Sequence, residues 1–182
     1  MGRHHERHPD DYYKTPPSCT EALLARETFA EWVDEPACGD GAISEVLLAH
    51  GHKVKSTDLV YRGYGAGGRD FLLPGNYVGE QTRDLVTNPP FGLADDFVLH
   101  AHALGYRKIA LLLRLAWLEG ERRRQRVFEK YPPLRVHVFS ARQTLWKGDD
   151  PNARTTGGMA AYAWFVWDQR ETGPTTISWI PK

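Results

Sequence analysis

The sequence predicts an α/β fold, a doubly wound, mostly parallel sheet with an antiparallel edge hairpin. Three observations carry this. Short runs of branched and aromatic residues alternate with stretches whose apolar residues recur at helical spacing, the pattern of a parallel sheet covered on both faces. A glycine-bearing loop, Cys38–Gly41, directly follows the first such run. The last two apolar runs have no helical stretch between them, so they should pair antiparallel.

Tyr12 to Pro17 reads as an extended lead-in, because prolines bias the residues before them away from helix. Ser18 or Thr20 can cap a helix that runs through about Glu31. Trp32 to Pro36 is a strand, and Ala42 to His50 a helix presenting Ile43, Val46, Leu47 and Ala49 to a core. Lys53 to Thr57 is a second short strand. The segment YRGYGAGGR, 61–69, is too glycine-rich for a regular element. Arg83 to Thr87 is a strand, Leu93 to Leu104 a helix, Lys108 to Leu113 a strand, and Glu119 to Lys130 a strongly charged helix. Arg135 to Phe139 and Ala160 to Trp167 are the last two strands, joined by a polar loop that contains Gly148, Gly157 and Gly158. Trp164, Phe165 and Trp167 are expected in core or edge packing. Only GPTTISWIPK lies beyond.

The composition bounds the function. At 182 residues, with 41% hydrophobic and 25% charged, the chain fits one domain, 1–182, whose first eleven residues are expected to be disordered despite His4, His5 and His8. No apolar run approaches the roughly 20 residues of a membrane helix, since Ile109 to Leu118 is short and interrupted by Arg114. The start lacks the apolar middle of a secretory signal, so a cytoplasmic protein is expected. Cys19 and Cys38 fit reduced thiols and provide no metal quartet, so no metal is expected. Formal net charge is zero, which argues against a uniformly basic nucleic-acid binder. From Ala101 to Arg154, however, twelve basic residues face five acids, a local excess on the second half.

In doubly wound sheets ligands bind beyond the carboxyl ends of the strands. Four segments fall there. In DEPACGDG, 34–41, Gly39 and Gly41 allow a tight turn and close approach of the backbone to a bound group; the loop is neither a Walker loop nor G-x-G-x-x-G. Asp58, about 20 residues after the glycine loop, is placed to accept from ribose hydroxyls. Asp70-Phe71 offers a carboxylate for an exocyclic amine beside an aromatic face. Together they describe a site for an adenosine-containing cofactor without a phosphate cradle. The fourth segment, Asn88-Pro89-Pro90-Phe91, ends a core strand on residues that cannot continue it.

Glu35-Pro-Ala-Cys-Gly-Asp-Gly, Asp70-Phe-Leu-Leu and Asn88-Pro-Pro-Phe occur in this order, preceded by Tyr13-Lys-Thr-Pro-Pro. In this the chain resembles the S-adenosylmethionine-dependent amino-methyltransferases, specifically the gamma-type group that methylates adenine N6 in DNA, from about Tyr12 to Trp167. A looser similarity is to short phage and prophage methyltransferases. The resemblance implies a Rossmann-like class I methyltransferase domain and S-adenosyl-L-methionine as cofactor. It implies that Thr15 and its neighbour Pro16 meet the cofactor carboxylate, that Glu35 and the Ala37, Cys38 and Gly39 backbone face the methionine part, and that Asp58 takes the ribose. Asp70 would take the adenine amine, with Phe71 packed near the ring, and Asn88 would border the cofactor as well as the target. The chain departs from the pattern at Ala42-Ile43, where a bulkier aromatic is usual.

The implied chemistry explains the knuckle. The exocyclic amine of adenine is a poor nucleophile, because its lone pair is delocalised into the ring. If the Asn88 side-chain oxygen and the Pro89 carbonyl accept its hydrogens, the lone pair is turned toward the methyl group, and Pro89 and Pro90 hold those acceptors still. Phe91 offers a ring on which the target base stacks. A base inside a duplex must be flipped out to reach it. On the substrate side, Arg114, Arg142, Trp146 and Lys147 are candidates; the last three lie in the loop joining the final strands, which in the similar family helps hold the extruded base. Trp146 reads equally as a stacking partner or a loop anchor. Arg122, Arg123, Arg124 and Arg126 read by default as a solvated charged face.

The gamma-type enzymes usually append a target-recognition domain, and none is expected here, so specificity should be weak, encoded in loops or supplied by a second subunit. The leading function is N6 methylation of adenine in nucleic acid, with DNA favoured over RNA. Methylation of RNA guanine or of a protein glutamine amide is the second reading, since the knuckle can present acceptors to any planar amine. A catalytically silent subunit with the cofactor fold is the third.

Overall fold

A two-residue strand, β1 (Tyr13–Lys14), leads into helix α1 (Pro17–Leu24). β2 (Trp32–Glu35), α2 (Ala42–Ala49), β3 (Lys53–Ser56), β4 (Asp84–Thr87), α3 (Ala94–Leu104) and β5 (Lys108–Arg114) follow. A short helix, α4 (Glu121–Arg123), runs into a π turn over Arg124–Phe128, and β6 (Arg135–Phe139), β7 (Trp146–Lys147), β8 (Tyr162–Asp168) and β9 (Thr176–Ile180) complete the chain. This computed structural model describes residues 12–77, 82–148 and 160–181. His4, His5, His8, the 149–159 part of the polar loop and the Lys147 side chain lie outside the described residues.

Seven strands form one sheet in the order β3-β2-β4-β5-β8-β6-β9. β3, β2, β4 and β5 pair parallel, and β8 runs antiparallel between β5 and β6. The expected α/β sheet with its antiparallel pair is therefore present. The tail beyond the predicted last strand is not a tail: Thr176 to Ile180 pairs parallel with β6 and becomes the outer strand on that side. Its alternation is weak because Ile177 and Trp179 stay exposed, leaving Ile180 as the buried anchor.

Strand alternation sorts the core into two layers. Leu85, Ile109, Leu111, Leu113, Phe165 and Trp167 face α3 and Val127 of the π turn. Val86, Ala110, Leu112, Trp164 and Val166 face Leu23 of α1 and Ile43 and Leu47 of α2. Trp164, Phe165 and Trp167 are all core residues, as expected.

α1 departs from its predicted span at both ends. Pro16 is its cap residue and Pro17 its first turn, so neither Ser18 nor Thr20 caps it. It stops at Leu24 rather than Glu31, because the following residues have other partners. The Glu27 carboxylate turns inward to Lys108, Arg135 and His137. The Ala30 N–H donates to Asp84 at 2.5 Å, a bond that a continued helix would forbid. These contacts gather at the amino ends of β4, β5 and β6, opposite the carboxyl ends where the candidate segments lie. The charged helix likewise starts later than Glu119, after a turn at Gly120 with φ +130°. Among the described residues no helix is long and apolar enough to cross a membrane, and no cluster has the make-up of a metal site.

Candidate active site

From β2 the chain passes to β3 on one side, then returns to β4 on the other side of β2. That reversal makes the crevice between β2 and β4 the switch point at which an open α/β sheet binds ligands. The carboxyl ends of these two strands deliver the glycine loop and the Asn88 knuckle. Between them lies a cleft lined by Glu35, Ala37, Cys38 and Asn88, with Thr15 from the lead-in. Five of the residues singled out in the sequence therefore meet in one place.

The glycine loop is shaped by backbone that only glycine adopts readily. Gly39 and Gly41 have φ of +55° and +88°. A Cβ on Gly39 would stand 2.3 Å from the Tyr12 ring, so the ring packs directly on the bare backbone. The Cys38 N–H donates to the Thr57 carbonyl at 3.0 Å, and the Gly39 N–H to Asp58 Oδ2 at 2.8 Å, fastening the loop to the end of β3. Asp58 Oδ1 accepts from the Val60 N–H at 2.9 Å. Burial pushes the Glu35 carboxyl well above its usual range, with Asp58 and Asp40 adding to the effect, and the Ser44 hydroxyl donates to it. Burial also pushes the Cys38 thiol up to about 12, so it is not a nucleophile here.

The lead-in is more than a spacer. β1 pairs antiparallel with β7, Tyr13 opposite Lys147 and Lys14 opposite Trp146, and the Gly148 N–H donates to the Tyr12 carbonyl at 3.1 Å. Its side chains alternate. Tyr12 and Lys14 go to the glycine loop: the Tyr12 hydroxyl accepts from the Asp40 N–H at 3.2 Å, and Lys14 Nζ lies 2.5 Å from Asp40 Oδ2. Tyr13 and Thr15 go to the knuckle, where the Tyr13 ring lies 5.3 Å from that of Phe91. Tyr12, Lys14 and Asp40 were not singled out from the sequence, although a strand's period of two in YYKT was the available signal.

Asn88 Nδ2 donates to the Tyr13 carbonyl and to Thr15 Oγ1, each at 3.0 Å. A main-chain carbonyl can only accept, so the amide nitrogen must face it, and the amide oxygen must face away. That oxygen, Oδ1, is buried and has no hydrogen-bond partner among the described residues. Pro89 is buried and Pro90 half-buried, and the Pro90 carbonyl accepts from Leu93 at 2.9 Å, closing the turn that begins at Phe91. The half-buried Phe91 ring lies between Tyr13 and Tyr162, with the guanidinium of exposed Arg114 at 4.7 Å from its centroid.

Other predicted site residues do not line the cleft itself. Phe71 is 2% exposed and packs in the core against Phe97, Tyr77 and His100, so it offers no open stacking face. Asp70 is buried beside it and accepts from the Leu72 N–H at 3.0 Å. Pro16 caps α1 next to Thr15. Arg142 is exposed and Trp146 half-buried on the segment between β6 and β8. The basic helix face is largely neutralised: Arg123 pairs with Asp95, Arg124 with Glu121 and Glu129, and Arg126 with Asp96.

No protein-family model and no curated protein matches the sequence. Solved structures do match. A Vibrio vulnificus chain assigned as the modification subunit of a type I restriction enzyme superposes with a TM-score of 0.66 at 14% identity, over 93% of this chain and 47% of that one. This chain thus spans about half the length of that protein. A Pyrococcus horikoshii protein assigned as an RNA methyltransferase gives 0.61 at 15% identity, over 92% of this chain and 90% of that one. The dimethyladenosine transferase of Plasmodium falciparum gives 0.52 at 12% identity, over 85% and 62%. At such identities the likeness is one of architecture, and the chain has the α/β fold shared by these methyltransferases.

Proposed function

We propose that this chain is an S-adenosylmethionine-dependent methyltransferase acting on the N6 amine of adenine in nucleic acid, DNA in preference to RNA. The observation that carries the reading is the orphaned Asn88 Oδ1, a buried acceptor whose amide is held in place by the two hydrogen bonds that Nδ2 donates to the Tyr13 carbonyl and Thr15 Oγ1. Buried polar atoms are nearly always satisfied, so an unpartnered acceptor at a switch point marks where a donor from outside belongs. An aromatic amine is such a donor. A dimethyladenosine transferase and a chain assigned as a restriction-enzyme modification subunit, both of like fold, favour a nucleic-acid base over a peptide amide.

The residues present fit the cofactor. The cleft is lined by Glu35, Ala37, Cys38 and Asn88, with Thr15 from the lead-in, and would hold one end of an extended cofactor. An ionised carboxylate has about four acceptor sites, and Asp58 spends two on Gly39 and Val60, so ribose hydroxyls can take the rest. Asp70 remains the candidate for the adenine amine.

When bound, S-adenosylmethionine supplies an electrophilic methyl group. Asn88 Oδ1 and the Pro89 carbonyl then accept the two hydrogens of the target amine and turn its lone pair toward that methyl, which is catalysis by orientation. Phe91, with Arg114 on its face, supports the base. Incubating the protein with methyl-labelled cofactor and separate DNA, RNA and protein pools, followed by nucleoside analysis, tests this. Label in N6-methyladenine is the expected outcome; label confined to guanine or glutamine would replace it.

A further inference from the structure

We propose that Thr15 is a positioning residue for methyl transfer: with the Tyr13 carbonyl, its hydroxyl oxygen fixes the Asn88 amide so that Oδ1 meets the target amine. The inference rests on the function proposed above and gives Thr15 a role distinct from cofactor binding.

A carboxamide is nearly symmetrical in shape, and rotation by half a turn exchanges its oxygen for its nitrogen. Such a flip at Asn88 would aim two donors at an amine that itself needs acceptors, and activation would be lost. Nothing within β4 sets the choice, because the strand ends at Thr87. The setting comes from the lead-in, 73 and 75 residues earlier in the chain, through Thr15 Oγ1 and the Tyr13 carbonyl, each 3.0 Å from Nδ2. The carbonyl chooses the orientation. Thr15 takes the second amide hydrogen, so both donors of Nδ2 are used; a flipped amide would lose the Tyr13 bond outright and keep the Thr15 contact only if the hydroxyl turned to donate. At 3% exposure Thr15 is shielded from water that could compete for that hydrogen.

The alternation of β1 separates the two duties of the lead-in. Tyr12 and Lys14 engage Asp40 of the glycine loop, whereas Tyr13 and Thr15 engage the knuckle. Thr15 thus belongs to the catalytic side of the strand, although it also borders the cleft.

The test compares Thr15→Val, which keeps shape and removes the acceptor, with Thr15→Ser, which keeps the acceptor. Measured at saturating cofactor, Thr15→Val should lower kcat about fivefold to tenfold, the effect of one buried hydrogen bond. Thr15→Ser should restore most of the rate. Independently of turnover, hydrogen exchange at the Asn88 side-chain amide, followed by nuclear magnetic resonance and assigned with Asn88→Ala, should speed up in Thr15→Val only. If the wild type methylates adenine and Thr15→Val turns over normally, or loses cofactor affinity instead of kcat, the positioning role is wrong. If the wild type methylates no adenine, the proposed function fails and the role falls with it.

Discussion

Asp58 Oδ2 accepts the Gly39 N–H at 2.8 Å, so the acid two residues past β3 also holds the turn that follows β2. Two functions meet in one carboxylate. It fastens the glycine loop and is the proposed ribose acceptor. Asp58→Ala should therefore weaken S-adenosylmethionine binding by more than a ribose contact alone, about tenfold to a hundredfold for charge-assisted hydrogen bonds. Asp58→Asn, which keeps one oxygen for Gly39, should lose less. Titration calorimetry on the three proteins distinguishes these, and equal affinities throughout would remove Asp58 from the site.

Asn88→Ala separates chemistry from binding. The substitution deletes the orphaned acceptor and leaves the glycine loop untouched, so cofactor should bind while methyl transfer fails. The variant also frees the Tyr13 carbonyl and Thr15 hydroxyl, so a loss of about 1–2 kcal/mol of stability is expected. Single-turnover assays alongside thermal melts read both effects. A variant with near-normal turnover would reduce the knuckle to a turn.

How far the sequence discloses this architecture depends on the kind of signal. Continuous apolar runs such as Ile109 to Leu113 announce buried strands, and the Asn88-Pro89-Pro90 stop is visible as chain chemistry. β9 is not visible that way. With Ile177 and Trp179 exposed, its only deep anchor is Ile180, and its pairing with β6 is a tertiary fact. The early end of α1 is hidden for the same reason, since Glu27 and Ala30 leave the helix for partners 54 to 110 residues away. In the site, the residues that end strands were legible because each strand ends at the crevice. The role of Tyr12 to Thr15 was not, since a two-residue strand carries too little pattern to show which face meets which loop. Phe71 shows the converse. An aromatic next to an acid suits a nucleoside site, yet the aromatic cluster on α3 claims the ring for the core.

Acid should destabilise the fold at the end opposite the site. Burial alone would raise the Glu27 carboxyl, but hydrogen bonds from His137, Arg135 and Lys108 outweigh burial and hold it at about 2, against an ordinary 4.5. A carboxyl depressed by folding contributes stability that is present above the unfolded value and lost as pH falls. The window is therefore from about pH 4.5 down to about 2. Denaturant melts at a series of pH values should show this fall in the wild type. Glu27→Gln should be less stable at neutral pH and flatter across that window; an unchanged profile would mean the ion cluster contributes nothing.

Substrate affinity should come mainly from phosphate contacts, which position a strand without reading its sequence. The arginines most conspicuous in the sequence are not the ones to supply it. Arg123, Arg124 and Arg126 are paired with carboxylates, whereas Arg114 stands exposed over the Phe91 ring at the mouth of the crevice. Binding should fall with salt by about 0.7–0.9 log units per log unit of salt for each phosphate neutralised. Arg114→Gln should reduce that slope by about one phosphate's worth, and Arg124→Gln should leave it unchanged. Trp146→Ala should lower activity most on duplex DNA, where an extruded base needs a stacking partner worth roughly 1–3 kcal/mol. Methylated adenines should then appear in many contexts, with at most a short sequence preference. Sequencing the modified positions on a mixed duplex decides the matter. A single long recognition motif produced by the purified chain would overturn minimal specificity and point to recognition by a dimer or by surface loops.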